Sequence, residues 1–225
     1  MVLRPGAWPP AMAYHRRMLN PRIAVIDFET TGMTPTLGDR ATEVAIVLTE
    51  GGQIVDRFQS LMNAGVPIPP FITQLTGITN AMVRAAPAAE SVMREAARFV
   101  GDTPMVAHNA SFDRRYWVAE LARVGIEAQN PYACTVLLSR RLIPEASSHK
   151  LGALVSQLGL PQTGAAHRAL ADAEMAAELL MHLQDRLRSR HGVSAPDHAF
   201  LRSLQACNKA ALPKFFARHA AACGV

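Results

Sequence analysis

Cysteine is scarce in this sequence: three residues in 225, at Cys134, Cys207 and Cys223. The count is odd and the spacing does not match a metal-ligand pattern, so neither a disulfide framework nor a thiolate zinc site is expected, and a reducing compartment fits best. Long apolar runs are also missing. None approaches the ~20 residues that cross a bilayer. Arg4 and Trp8-Pro9-Pro10 stand where a signal peptide would carry its apolar core. The expectation is a soluble, cytoplasmic protein with no membrane partner. Internal repeats and low-complexity stretches are absent as well.

What is present is enough apolar sequence, 49% of residues, for one domain of moderate size with tails. Charge is unevenly distributed. Residues 1–22 carry four arginines and no acid, residues 23–183 carry 12 basic and 16 acidic side chains, and residues 184–225 carry seven basic and two acidic ones. The three segments are therefore +4, −4 and +5, which sum to the net +5. An acidic centre with basic ends suits a cation-binding core whose polyanionic partner is held from the periphery. Basic tails that are only solvated would give the same totals.

Local patterns divide the chain into an irregular tail over 1–20, a domain over 21–188 and a basic extension over 189–225. Strands are predicted at 22–29, 42–49 and 53–62, with Gly51-Gly52 as the turn of a hairpin. Residues 65–80, with Pro67, Pro69 and Pro70, read as a surface loop with room for a short helix. Helices are predicted over 86–100, 112–124, 149–158 and 168–188, and short strands at 104–107 and 132–134, the latter running into a helix that stops before Pro144. Strands first and strand–helix alternation later imply an α/β fold, with one mixed sheet of about five strands flanked by helices.

Acids stand where this pattern calls for apolar residues. Alternate residues of a strand share a face, so the row Ile23, Val25 ends in Asp27 and Glu29. Asp113 heads the helical stripe Tyr116, Trp117, Leu121 and Val124. Asp172 heads the stripe Met175, Ala176, Leu179, Leu180, Leu183 and Leu187. One such acid is explained by a solvated strand end or a favourable helix dipole. Four are better explained by a bound cation, since unpaired carboxylates are costly to bury. Oxygen-only donors favour Mg²⁺ or Mn²⁺. After Glu29, Thr30-Thr31-Gly32 turns the chain and offers backbone N–H groups to a phosphate or terminal hydroxyl.

Three ordered motifs carry a resemblance: Asp27-Phe28-Glu29-Thr30-Thr31-Gly32, His108-Asn109-Ala110-Ser111-Phe112-Asp113 and His167-Arg168-Ala169-Leu170-Ala171-Asp172. Leu75-Thr76-Gly77-Ile78-Thr79 adds to them. Over about 22–185 the chain resembles the DEDD superfamily of 3′→5′ exonucleases in its histidine-containing branch (DEDDh), the branch of the proofreading epsilon subunits and ribonuclease T. The resemblance implies a ribonuclease H-like fold, two divalent ions and release of nucleoside 5′-monophosphates. It implies that Asp27, Glu29 and Asp172 hold one ion, that Asp27 bridges to the second with Asp113 acting through solvent, and that His167 is the general base. An imidazole exchanges its proton near neutral pH, which suits that role.

Substrate contacts are expected at Phe28, Thr30, Thr76, His108 and Phe112. Each has a plainer alternative: Phe28 faces away from the acids, Phe112 could pack beneath its motif, and His108 could shape its turn. Trp117 reads as core. Glu43 either supports the site or ends its strand, and His149 and Lys150 read first as a solvated helix start.

The expected substrate is a single-stranded 3′ end, DNA before RNA, with a polymerase or repair factor as possible partner and a homodimer as a possible assembly. RNA trimming and non-catalytic binding are the competing readings. All four acids and His167 are present, which argues against the second. No Gln-x-x-Leu-x-Leu segment occurs in 184–225, which argues against stable membership of a replicase.

Overall fold

The computed structural model describes residues 21–164 and 167–222. The expected tail over 1–20 and Cys223 lie outside them. A five-stranded sheet is ordered β3-β2-β1-β4-β5, with β1 Ile23–Thr30, β2 Ala41–Glu50, β3 Gln53–Leu61, β4 Met105–Ala107 and β5 Tyr132–Cys134. The first three strands are antiparallel. β4 runs parallel to β1, and β5 parallel to β4. Gly51 and Gly52 both have positive φ, as the hairpin between β2 and β3 requires.

The pleat of β1 sorts the core into two layers. Ile23 and Val25 face one side, together with Ala45, Val47 and Val106. There they pack against α5 (Thr135–Leu142) and the 23-residue α7 (Ala169–His191), whose Ala173, Ala176, Leu179, Leu180 and Leu183 are buried. Ala24, Ile26 and Phe28 face the other side, against α3 (Ala89–Val100) and α4 (Ala110–Arg123). Burying one such aliphatic side chain stabilises the fold by ~1.5–3 kcal/mol. The odd-numbered row that points at α7 is the row that ends in Asp27 and Glu29.

The expected loop over 65–80 contains one short helix, α1 (Pro70–Thr76), and a second that was not expected, α2 (Asn80–Ala85), follows it before α3. The helix expected from 86 begins only at Ala89. Ala86 precedes Pro87 and is extended (ψ 160°), because a residue before proline is pushed out of the helical region. The helix expected from His149 likewise begins at Leu151, as α6 (Leu151–Leu158).

Residues beyond 188 enter the same core. α8 (His198–Ala206) buries Phe200, Leu201 and Leu204, and α9 (Leu212–Ala222) adds Phe215. Polar contacts fix the register of α8 on the sheet. His198 Nε2 bonds Met105 O at 2.8 Å. The Gln205 side chain accepts from the Cys134 N–H at 2.7 Å and donates to Tyr132 O at 3.3 Å. Gln205 thereby covers the open edge of β5, which an unpaired strand would otherwise present to another chain.

Candidate active site

Three elements bring the four acids together. Asp27 and Glu29 leave the end of β1 on its α7 face. Asp172 lies in the first turn of α7 and Asp113 in the first turn of α4. Asp113 is only 2% exposed, and its Oδ1 accepts the Phe28 N–H at 3.2 Å, so α4 on the opposite layer still delivers a carboxylate to this strand end. Carboxylate oxygens of Glu29 and Asp172 and a ring nitrogen of His167 all lie within 4.8 Å of one another. His167 is exposed and has a positive φ of 60°, uncommon for a residue with a side chain. Its N–H donates to Asp172 Oδ2 at 3.2 Å, which ties the imidazole-bearing residue to the acid.

The electrostatics are those of crowded, buried carboxylates. Burial, then the charges of Asp113, Asp172, Glu29 and Glu43, push Asp27 well above the usual carboxylate range. Burial, Asp172 and Glu43 lift Glu29 to about 8, although Arg168 opposes them. Burial lifts Asp113 to about 8 and also raises Asp172. Each of these groups binds a proton more tightly than in the unfolded chain, so each favours folding at low pH and loses that contribution as pH rises through its folded value. The buried histidines His108 and His198 are shifted down and have the opposite dependence, but it is complete once unfolded imidazoles are neutral, near 7. With chelator present, the melting temperature should therefore fall between about pH 7 and pH 8.5. Asp113→Asn should flatten that fall, and Mg²⁺ or Mn²⁺ should offset it. A melting temperature that rises across this interval would contradict the assignment.

The acids open into a cavity of about 360 Å³ lined by Asp27, Glu29, Thr30, His167 and Asp172 on the polar side and by Met33, Ile72, Leu75 and Phe112 on the apolar side. A second cavity, of about 920 Å³, adjoins it and shares His108, Asn109, Leu151, His167 and Asp172.

The family model for RNase_T, described as Exonuclease, matches residues 24–180, which span all three motifs. The chain belongs to this exonuclease family. It is 32% identical to a DNA polymerase III subunit epsilon of Aquifex aeolicus, over 88% of this chain and 96% of that one. It is 36% identical to a DNA polymerase III PolC-type of Bacillus cereus, over 75% of this chain but only 12% of that protein's length. Among solved structures it is similar to exonuclease X in complex with 5′ overhanging duplex DNA, at 30% identity and a TM-score of 0.64, covering 82% of this chain and 99% of that one. The nuclease domain of 3′hExo, a DEDDh family member bound to rAMP, shares the fold at 21% identity and a TM-score of 0.62, covering 73% of this chain and 92% of that one. The chain is an epsilon-like exonuclease, and its fold is that of these nuclease domains.

In this exonuclease the expected substrate residues fare differently. Phe112 is half-buried, lines the smaller cavity and lies 5.0 Å from the Tyr116 ring, centroid to centroid. Phe28 also borders that cavity, but its ring is buried in the layer with α3 and α4. The Thr30 hydroxyl donates to Gly32 O at 2.6 Å. The Thr76 hydroxyl donates to Ile72 O and accepts from the Ile78 N–H. His108 has both nitrogens engaged, Nδ1 with Thr135 Oγ1 at 2.9 Å and Nε2 with His149 O at 3.0 Å. A carbonyl can only accept, so Nε2 carries the proton and Nδ1 accepts from the threonine. Burial pushes this imidazole down to about 4. His108 is thus a neutral bracket between β4 and the loop before α6, with no nitrogen left for a phosphate.

The turn after β1 is also more closed than expected. The Thr31 N–H donates to Arg40 O, and Tyr116 Oη donates to Gly32 O. A Cβ on Gly32 would overlap the Asp39 carboxylate, which accepts the Thr34 N–H at 2.9 Å. The Arg40 guanidinium is itself paired in two-pronged fashion with buried Glu120, at 2.9 Å on each prong.

The residue that sequence reasoning undervalued is Glu43. It is fully buried and sits opposite Glu29 in the β1–β2 ladder. Its carboxylate accepts from Arg168 (2.9 and 3.2 Å), from Gln59 (2.7 Å) and from the Ala169 N–H at the start of α7. Burial works to raise it, but the bonds from Arg168, Gln59 and Ala169 outweigh burial and hold it ionised. Glu43 thereby anchors the segment that carries both His167 and Asp172. Arg168 is part-exposed and can turn to water, so Glu43→Ala should lose the buried bonds to Gln59 and Ala169 rather than strand a charge, about 1–3 kcal/mol in urea unfolding. Glu43→Gln keeps the shape and should lower kcat with little change in KM, because the anchoring rather than the strand-binding surface is altered. A folded Glu43→Gln variant with unchanged kcat would overturn this positioning role.

Proposed function

We propose that this exonuclease removes nucleoside 5′-monophosphates from the 3′ ends of single-stranded or frayed DNA, using two Mg²⁺ or Mn²⁺ ions held by Asp27, Glu29, Asp113 and Asp172. The observation that carries the reading is the convergence of Asp27, Glu29, Asp172 and His167 on one cavity that also has an apolar wall, with the buried charge of Asp113 felt at Asp27. The donor set fits hard divalent cations: all-oxygen acids in excess, with two described cysteines remote from the cluster and no thiolate among its donors. Bound there, such ions supply Lewis-acid stabilisation on both sides of an in-line displacement at phosphorus.

The side chains divide the remaining tasks. Ile72, Leu75 and Phe112 form the apolar wall for the terminal base, and Thr30 borders the same space. His167, exposed and lining both cavities, takes the proton of the attacking water on a ring nitrogen. The water oxygen bonds to phosphorus, the bond to the 3′ oxygen of the preceding nucleotide breaks, and the product leaves with its 5′-phosphate. Asp172 holds the backbone of His167 and so keeps the base against the phosphate.

DNA is favoured over RNA because the relatives include DNA polymerase III proteins and an exonuclease in complex with DNA. Competition between matched DNA and RNA single strands tests this. Preferential shortening of the DNA strand is expected. Faster removal of ribonucleotides would replace the proposal with RNA trimming.

A further inference from the structure

One wall of the smaller cavity depends on a turn that the sheet does not fix by itself. Glu29 pairs with Glu43, but Thr30 pairs with Ala41, so Thr42 is an extra residue and the β1–β2 ladder is bulged where the turn begins. A bulge re-aims the chain beside it. Beyond it, Gly32 and Met33 line the cavity together with Thr30, and Met33 is 64% exposed. Where these residues point therefore shapes the space beside Asp27, Glu29 and Asp172.

The turn is held partly from within. At its base the Thr31 N–H donates to Arg40 O at 2.9 Å, and the Arg40 N–H donates to Thr31 Oγ1 at 3.0 Å. Nearer its tip, Asp39 Oδ2 accepts the Thr34 N–H. A further bond comes from another element. Tyr116 Oη, on α4, donates to the Gly32 carbonyl at 2.9 Å, and the Thr30 hydroxyl donates to the same oxygen. Both lone pairs of that carbonyl are thus used. The Tyr116 ring is fully buried, 6.3 Å from the Phe28 ring and 5.0 Å from the Phe112 ring, centroid to centroid. Burial pushes its hydroxyl up to about 12, so it remains a donor throughout the neutral range.

We infer that Tyr116 is a positioning residue for the terminal nucleotide: its hydroxyl holds the Gly32 carbonyl and so fixes the turn that walls the cavity with Thr30 and Met33. The inference rests on the function proposed above, in which this cavity takes the terminal nucleotide. Residues 113 and 116 share a face of α4, so that helix grips the end of β1 at two points one turn apart. Asp113 accepts the Phe28 N–H within the acidic cluster, and Tyr116 reaches Gly32 just beyond it. Loss of the second grip should loosen the nucleotide wall while the acids and His167 stay in place.

Tyr116→Phe keeps the ring against Phe28 and Phe112 and removes only the hydroxyl. The variant should fold, which circular dichroism checks. With a short oligothymidylate and Mn²⁺, the inhibition constant of thymidine 5′-phosphate should rise about tenfold, the scale of one hydrogen bond lost from a buried acceptor, and KM should rise with it. In contrast, kcat should stay within about threefold, and Mn²⁺ affinity read by titration calorimetry should not change, because binding rather than chemistry is altered. Asp39→Ala loosens the same turn from inside, by removing the acceptor of the Thr34 N–H. In a double-mutant cycle the combined rise should be smaller than the product of the two single rises, since both substitutions act on one turn.

An unchanged inhibition constant in folded Tyr116→Phe, a fall in kcat together with weaker Mn²⁺ binding, or fully multiplicative rises would overturn the positioning role and leave the exonuclease reading intact. So would a wild-type enzyme that degrades the oligomer without inhibition by thymidine 5′-phosphate. If the wild-type protein did not degrade the oligomer with Mn²⁺ at all, the exonuclease reading would fall, and the role of Tyr116 with it.

Discussion

Asp27→Ala is expected to abolish turnover by several orders of magnitude in Mg²⁺ or Mn²⁺, while the affinity for single-stranded DNA falls far less. Asp27 is the carboxylate whose charge is felt with all the other acids: burial, Asp113, Asp172, Glu29 and Glu43 each raise its proton affinity. A group in that position holds its charge only when cations bind beside it, and the cations have no equivalent donor once it is gone. Strand affinity survives because the apolar wall is untouched. Isothermal titration with Mn²⁺ and anisotropy with labelled DNA separate the two effects. If purified Asp27→Ala protein kept more than a few per cent of wild-type turnover, the metal assignment would be wrong.

His167→Ala should slow turnover by ~10²–10⁴-fold, the range for loss of a general base. Asp27, Glu29 and Asp172 remain, so Mn²⁺ and DNA should still bind nearly as in the wild type. An imidazole must be neutral to accept a proton, so the wild-type rate should rise with pH along a limb that the variant lacks. Retention of both the rate and that limb would remove His167 from the chemistry. Its exposure and positive φ support an active role, because a strained residue persists only where its surroundings impose it.

Much of this architecture is legible in the amino-acid sequence alone, and for identifiable reasons. Gly51-Gly52 flanked by apolar alternation specifies a hairpin, and the row Ile23, Val25, Asp27, Glu29 specifies a strand whose buried face ends in charge. Asp113 and Asp172 are conspicuous because they head apolar helical stripes. Glu43 breaks the same rule, since it continues the face of Ala45 and Val47, yet its role depends on Arg168, 125 residues away, and a contact at that separation leaves no local pattern. His108 misleads for a related reason. It stands in the second motif, but Thr135 and the His149 carbonyl use both of its nitrogens. The apolar spacing from Phe200 to Phe216 is visible, but its docking is not, because His198 and Gln205 secure it through polar contacts to strand backbones.

In the proposed mechanism these acids and His167 act together on the 3′ end of a strand. Digestion of a 5′-labelled single-stranded DNA with Mn²⁺, followed over time beside Asp27→Ala and His167→Ala, tests it most directly. A ladder that shortens one nucleotide at a time from the 3′ end is expected, with release of nucleoside 5′-monophosphates and near-absence of the ladder in both variants. Early release of the labelled 5′ nucleotide, internal cuts, or an equal ladder from the variants would contradict it.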